Sequence, residues 1–215
     1  MNLIRIIVLS LSFTVLSFGQ SIFIEPVIGI SRLNDAVFRY GMIGNYGTNL
    51  GIELSQKYDL YCGINLMGDN DKDSRYGVEY DAEIIFKNYV AGTRYYINIP
   101  KSQMSLRLGF EYSYGSIKET VIYPVFLYDD VNTKLDGNAR GYSLEYGLTL
   151  NNWKILRIFF GINYRFCNYK IDKIIVNGET VSVNEYESSI YYKTDNVSGF
   201  SFKASVTVYP FRNKK

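Results

Sequence analysis

Eight segments of this chain alternate apolar and polar side chains with a period of two. In MSLRLGFEYSYG, residues 104–115, Leu106, Leu108, Phe110, Tyr112 and Tyr114 fall on one parity; Arg107, Gly109, Glu111 and Ser113 fall on the other. Successive side chains of a β-strand point to opposite faces, so this pattern specifies strands with one apolar face each. The same reading predicts strands over residues 22–31, 46–56, 59–67, 83–99, 104–118, 139–150, 155–169 and 194–211. A chain with eight such segments and no competing helical period is all-β.

The connectors between these segments fall into two alternating classes. KY, PKSQ and NNWK are of hairpin length and rich in turn formers. The others are long and mostly polar: RLNDAVFRYGMIGN, GDNDKDSRYGVEYDA, ETVIYPVFLYDDVNTKLDGN and KIDKIIVNGETVSVNEYESSIYYK. Short and long connectors in strict alternation describe an antiparallel up-and-down barrel whose two rims meet different surroundings, as in barrels that cross outer membranes.

The side to which the apolar face turns follows from space. An eight-stranded barrel has an interior only just filled by side chains. Leu, Ile, Phe and Tyr from every strand would overfill it. Gly51, Gly63, Gly109, Gly141, Gly147 and Gly161 all sit on the polar parity, where a crowded lumen requires small residues and a wetted outer surface does not. The apolar face therefore points outward, to lipid. With 21 Tyr and 13 Phe in the chain, Tyr112, Tyr114, Tyr142, Tyr164 and Tyr169 are expected to form an interfacial aromatic girdle.

Residues 1–19 read as a secretory signal peptide: Arg5 supplies the positive region, residues 6–16 the apolar run, and Ser17-Phe18-Gly19 a small-x-small cleavage site. The barrel domain is expected over 20–215, exported and without a lipoprotein cysteine. Cys62 lies on an apolar parity and Cys167 on a polar one, so the two are expected as free thiols on opposite faces. Charge is nearly balanced, with 23 basic and 21 acidic residues, which gives no nucleic-acid footprint.

The signal peptide, the alternation and the strand count resemble the small outer-membrane barrels of the OmpA and OmpX type. The likeness is nearest to the "outer membrane protein beta-barrel domain" family, including PorT-like proteins, common in Bacteroidota. That resemblance implies a final strand carrying an aromatic signal for the barrel-insertion machinery. Tyr209-Pro210-Phe211 is similar to its aromatic-x-aromatic ending. Tyr209 and Phe211 fall on the polar parity, so a bulge or strand end is expected near Pro210. Deacylases, phospholipases and a palmitoyltransferase of similar architecture use a catalytic histidine. This chain has no histidine, so an enzyme is not expected, and no cofactor.

On the lumen parity stand Glu25, Glu53, Glu111 and Glu145 against Arg94, Arg107, Arg157, Arg165 and Lys203. Inside a narrow tube such charges must pair, and they are expected to form a network that plugs the lumen. Asp69, Asp71 and Asp73 imitate the start of a calcium-binding loop, but Ser74 and Tyr80 occupy the positions of its glycine and glutamate. They form a candidate weak cation loop, or a bridge to lipopolysaccharide through divalent ions. The third and fourth long connectors are themselves strand-like and are expected to extend hairpins beyond the membrane, with edges open to a protein partner. The expectation is a plugged outer-membrane barrel with structural or interaction roles. The alternatives are a narrow solute or ion pore and a soluble lipocalin-like binder of apolar ligands.

Overall fold

The computed structural model describes residues 21–33, 42–75, 78–123, 131–151, 155–183 and 198–210. Residues 1–19, expected as a signal peptide, and Phe211 lie outside them. The strands are β1 (Ser21–Leu33), β2 (Ile43–Ser55), β3 (Tyr58–Arg75), β4 (Val78–Asn98), β5 (Met104–Tyr123), β6 (Val131–Leu150), β7 (Leu156–Val176), β8 (Glu179–Val181) and β9 (Gly199–Val208). Each of β1 to β7 pairs antiparallel with its successor. β9 pairs with both β7 and β1, and so closes the ring. Eight strands make the barrel. β8 is a three-residue addition to the outer end of β7, joined by a turn at Asn177 and Gly178, both at positive φ. Asn-Gly is the pair that tolerates such a turn best.

At one rim the connectors are short, with turns at Gln56-Lys57 and at residues 99–103. At the other rim the strands run much further than the alternation indicates. β4 spans 21 residues, where a tilted membrane strand needs about 9–11. Pairing of β3 with β4 continues to Arg75 and Val78. The expected acidic loop is therefore mostly strand, with Asp69, Asp71 and Asp73 opposite Ile84, Ala82 and Tyr80. An extended, paired backbone does not coil around a cation as a calcium-binding loop does. Polar composition here does not report the loss of the strand.

The polarity of the two faces reverses along the strands. In the lower half, outward residues are apolar and exposed: Ile28 is 65% and Phe202 60% accessible. The inward residues there include charged groups that are almost wholly buried. Further up, the inward face becomes apolar. Ile43, Met67, Ile84, Phe86, Ile117, Leu135, Cys167, Tyr169, Ile171 and Ile174 form one buried cluster, with Val181 of β8 packed against it. Outward positions in that half carry Lys87, Lys118, Lys134 and Lys170. A wall apolar outside and charged inside is stable against lipid, and a wall apolar inside is stable against water. The reversal marks where the barrel leaves the membrane. It also corrects two expectations. A lipocalin-like binder needs an apolar lumen within a wetted wall, opposite to the lower half. Tyr169 belongs to the buried core and not to the girdle, because it lies on the inward parity above the reversal.

Among the inward aromatics, Phe159 packs directly against the charges. Phe159 is buried, and it lies across Gly147 and Gly161, which face each other between β6 and β7. A Cβ on Gly147 would come within 2.6 Å of the Phe159 ring and 2.5 Å of the Gly161 Cα. The Arg107 guanidinium stacks on the same ring, 3.5 Å from its centroid. Gly147→Val should thus displace Phe159 and lower stability by about 1–3 kcal/mol, the usual cost of overpacking. Urea unfolding in lipid vesicles measures this, and Gly109→Ala, whose added carbon would come no nearer than 3.1 Å to the Glu145 side chain, should cost less.

Candidate functional site

Alternation aims one set of side chains from every barrel strand into a space that cannot hold bulk water. β1 contributes Glu25, β2 Glu53, β3 Asp59, β4 Arg94, β5 Arg107 and Glu111, β6 Glu145, β7 Arg157 and Arg165, and β9 Lys203; all are buried. The centre is a four-residue cluster. Glu25, 0% exposed, receives Arg94 at 2.5 Å and Arg107 at 2.8 Å. Arg107 also meets Glu145 at 2.6 Å, and Arg94 approaches Glu145 at 3.6 Å. Two guanidiniums thus lie between two carboxylates, across the full width of the lumen.

Neutral donors complete it. Asn49 Nδ2 donates to Glu25 at 2.9 Å, and the Ser205 and Thr207 hydroxyls donate to it at 2.6 and 3.3 Å. The Arg94 guanidinium lies over the Tyr61 ring at 3.9 Å, and the Tyr61 hydroxyl donates to Glu111. Lys203 sits about midway between Glu111 and Glu145, at 3.9 and 4.0 Å. A second group closes the short-turn end. Arg157 meets Glu53 at 3.2 Å and Asp59 at 3.8 Å, and Tyr96 donates its hydroxyl to Asp59 at 2.7 Å. Arg157 lies 5.0 Å from the Tyr96 and Tyr209 ring centroids.

All nine charged residues expected in the lumen are there, and eight of them lie in these two ion-pair groups. Arg165 is the exception. Among the described residues it meets no carboxylate; its Nη1 donates to the Met67 sulfur, and its Nε and Nη2 have no partner. Alternation also pointed Asp59 inward, but its position beside a tight turn hid its part in the network. Its pairing with Glu53 across β2 and β3 makes it a neighbour of Arg157. Tyr61, Tyr96 and Phe159 were equally legible by parity and not by type, since aromatic residues suggest a lipid face. Tyr209 follows β9, which ends at Val208, as the parity of the aromatic ending requires. Its ring is buried beside Phe23 at 5.8 Å, so the folded barrel encloses it.

No protein-family model matches the chain, and no curated protein does. Among solved structures, a major outer membrane protein from Thermus thermophilus superposes with a TM-score of 0.57 at 10% identity, over 88% of this chain and 98% of that one. The fold is that of an outer-membrane barrel. Neisserial surface protein A gives a TM-score of 0.48 at 10% identity, over 89% of this chain and 97% of that one. CarO of Acinetobacter baumannii gives 0.48 at 14%, over 88% and 97%.

The difference between Arg157 and Arg165 is testable. Arg157→Met leaves Asp59 and Glu53 without their guanidinium and should cost about 3–5 kcal/mol, as breaking a buried pair does. Arg165→Met removes a buried charge from beside an apolar cluster and should cost under about 1 kcal/mol or stabilise. Equilibrium unfolding of both variants in vesicles reads the contrast.

Proposed function

We propose that this chain is an integral protein of the bacterial outer membrane whose lumen is closed, non-enzymatic, and whose long hairpins serve a structural or interaction role outside the cell. The short turns and both termini face the periplasm in this reading, since short turns on that side are the rule for such barrels. The observation that carries it is the stack of two seals in one lumen. The Glu25–Arg94–Arg107–Glu145 cluster spans the tube, with Arg94 and Arg107 at 2% and 1% exposure. Above it lies the apolar core between Ile43 and Ile174. An ion would have to displace both, and the second is lined mainly by apolar side chains.

Export by the signal peptide, contact with outer-membrane lipid and lipopolysaccharide, and delivery by the insertion machinery through Tyr209 and Phe211 belong to the same proposal. The burial of Tyr209 restricts that last step to the chain before it folds. The hairpins β3–β4 and β5–β6, and the edge strand β8, supply the outer surface for a protein partner by strand addition. A narrow pore is the rival reading. Planar-bilayer recording separates them: purified protein should give no unitary steps, and replacing Arg107 and Glu145 together by Ser should not open a steady channel, because the apolar core remains. Regular single-channel steps from the unaltered protein would overturn the closed-lumen proposal.

A further inference from the structure

The outward face just beyond the apolar band has a regular charge order on four consecutive strands. On β4 the first charged outward residue past Tyr89 is Lys87, two positions on; on β6 the first past Tyr142 is Arg140, also two positions on. On β5 it is Lys118, four positions past Tyr114, and on β7 it is Lys170, four positions past Phe166. Tyr89, Tyr114 and Tyr142 are about half exposed and Phe166 somewhat less, and all four bases are exposed. The outward carboxylates of this sector lie further out on their strands: Glu83 beyond Lys87, Asp136 beyond Arg140, Asp172 beyond Lys170. Lys118 meets Asp136 only at 3.9 Å, with its side chain 68% exposed, so that pair does not consume the charge.

Two to four strand positions amount to about 7–13 Å along the strand. That is the depth of a headgroup layer above the aromatic belt. We propose that Lys87, Lys118, Arg140 and Lys170 form a belt that binds the phosphates of phosphorylated lipids in the surrounding leaflet, as a second attachment beside the apolar wall. The inference rests on the membrane reading above. It goes further by assigning one sector, β4 to β7, to the headgroups. The Tyr89, Tyr114 and Tyr142 rings supply the apolar flank for the acyl chains, and ammonium and guanidinium groups supply charge-assisted hydrogen bonds to phosphate.

The test uses the full mature chain folded in a zwitterionic detergent, with folding checked first by its shifted band on unheated SDS gels. The temperature at which that band is lost is then read with bis-phosphorylated lipid A, dephosphorylated lipid A or inorganic phosphate added. A rise of about 5 °C with the phosphorylated lipid alone is expected. The rise should vanish in K87Q/K118Q/R140Q/K170Q, whose exposed substitutions leave the wall and the lumen intact. Equal rises with both lipids, or an undiminished rise in the variant, would overturn the belt while leaving the membrane barrel standing. A rise with inorganic phosphate alone would assign these residues to a free anion and overturn the lipid claim. A chain that gives no heat-shifted band would overturn the membrane reading and the belt together.

Discussion

The sharing of two carboxylates by two guanidiniums, Glu25 and Glu145 with Arg94 and Arg107, is the interaction on which the rest of this barrel depends. Strand pairing alone links each strand to its neighbours. The cluster links β1, β4, β5 and β6 across the tube, and Lys203, Asn49, Ser205 and Thr207 draw in β9 and β2. It also fixes register. A slip of one residue would turn a whole strand's lumen face outward, placing a charge in lipid at about 2–4 kcal/mol for a basic residue near the midplane. Buried ion pairs often contribute little net stability against an apolar alternative. Their value here lies in register, since a one-residue slip of any of these strands would separate the partners.

The same chain uses opposite solutions to burial at its two ends. Within the membrane, lipid accepts the leucines and phenylalanines of the wall, and the lumen is left to polar groups that satisfy one another. Beyond the membrane, water takes the wall, and the lumen fills with Ile84, Phe86, Ile117, Leu135 and Ile174. The strands continue without a break through the change, as the unbroken registers of β3–β4 and β5–β6 record. A single sheet thus closes the tube electrostatically below and by hydrophobic packing above. Arg165 and Met67 stand at the junction, where a guanidinium from the polar half touches the lowest member of the apolar one.

Much of this was legible in the alternation. Strand number, antiparallel order, the outward face and all nine lumen charges follow from parity together with the width of an eight-stranded tube. Strand length did not follow. Past the reversal the pattern persists, but its faces exchange roles, so Ile84 and Phe86 look misplaced within their strand and Lys134 looks like part of a loop. The acidic stretch from Asp69 to Asp73 misleads as well, because a polar composition does not prevent strand pairing. The identity of ion partners was also out of reach. Arg107 meets Glu25 across 82 positions of sequence, a distance set by barrel closure and shear, which no local pattern encodes. Tyr169 was assigned to the lipid interface by type, while its parity already placed it inside.

The central claim is that the cross-lumen cluster acts as a unit. A double-mutant cycle between Arg107 and Glu145 tests it most directly, using Arg107→Met, Glu145→Gln and the pair, each unfolded reversibly in vesicles. Each single change should lose about 3–5 kcal/mol, because it strands a buried charge. The double variant should lose clearly less than the sum, with a coupling of about 1–3 kcal/mol. Strictly additive losses would contradict the account, since they would mean that the two side chains do not meet in the folded barrel.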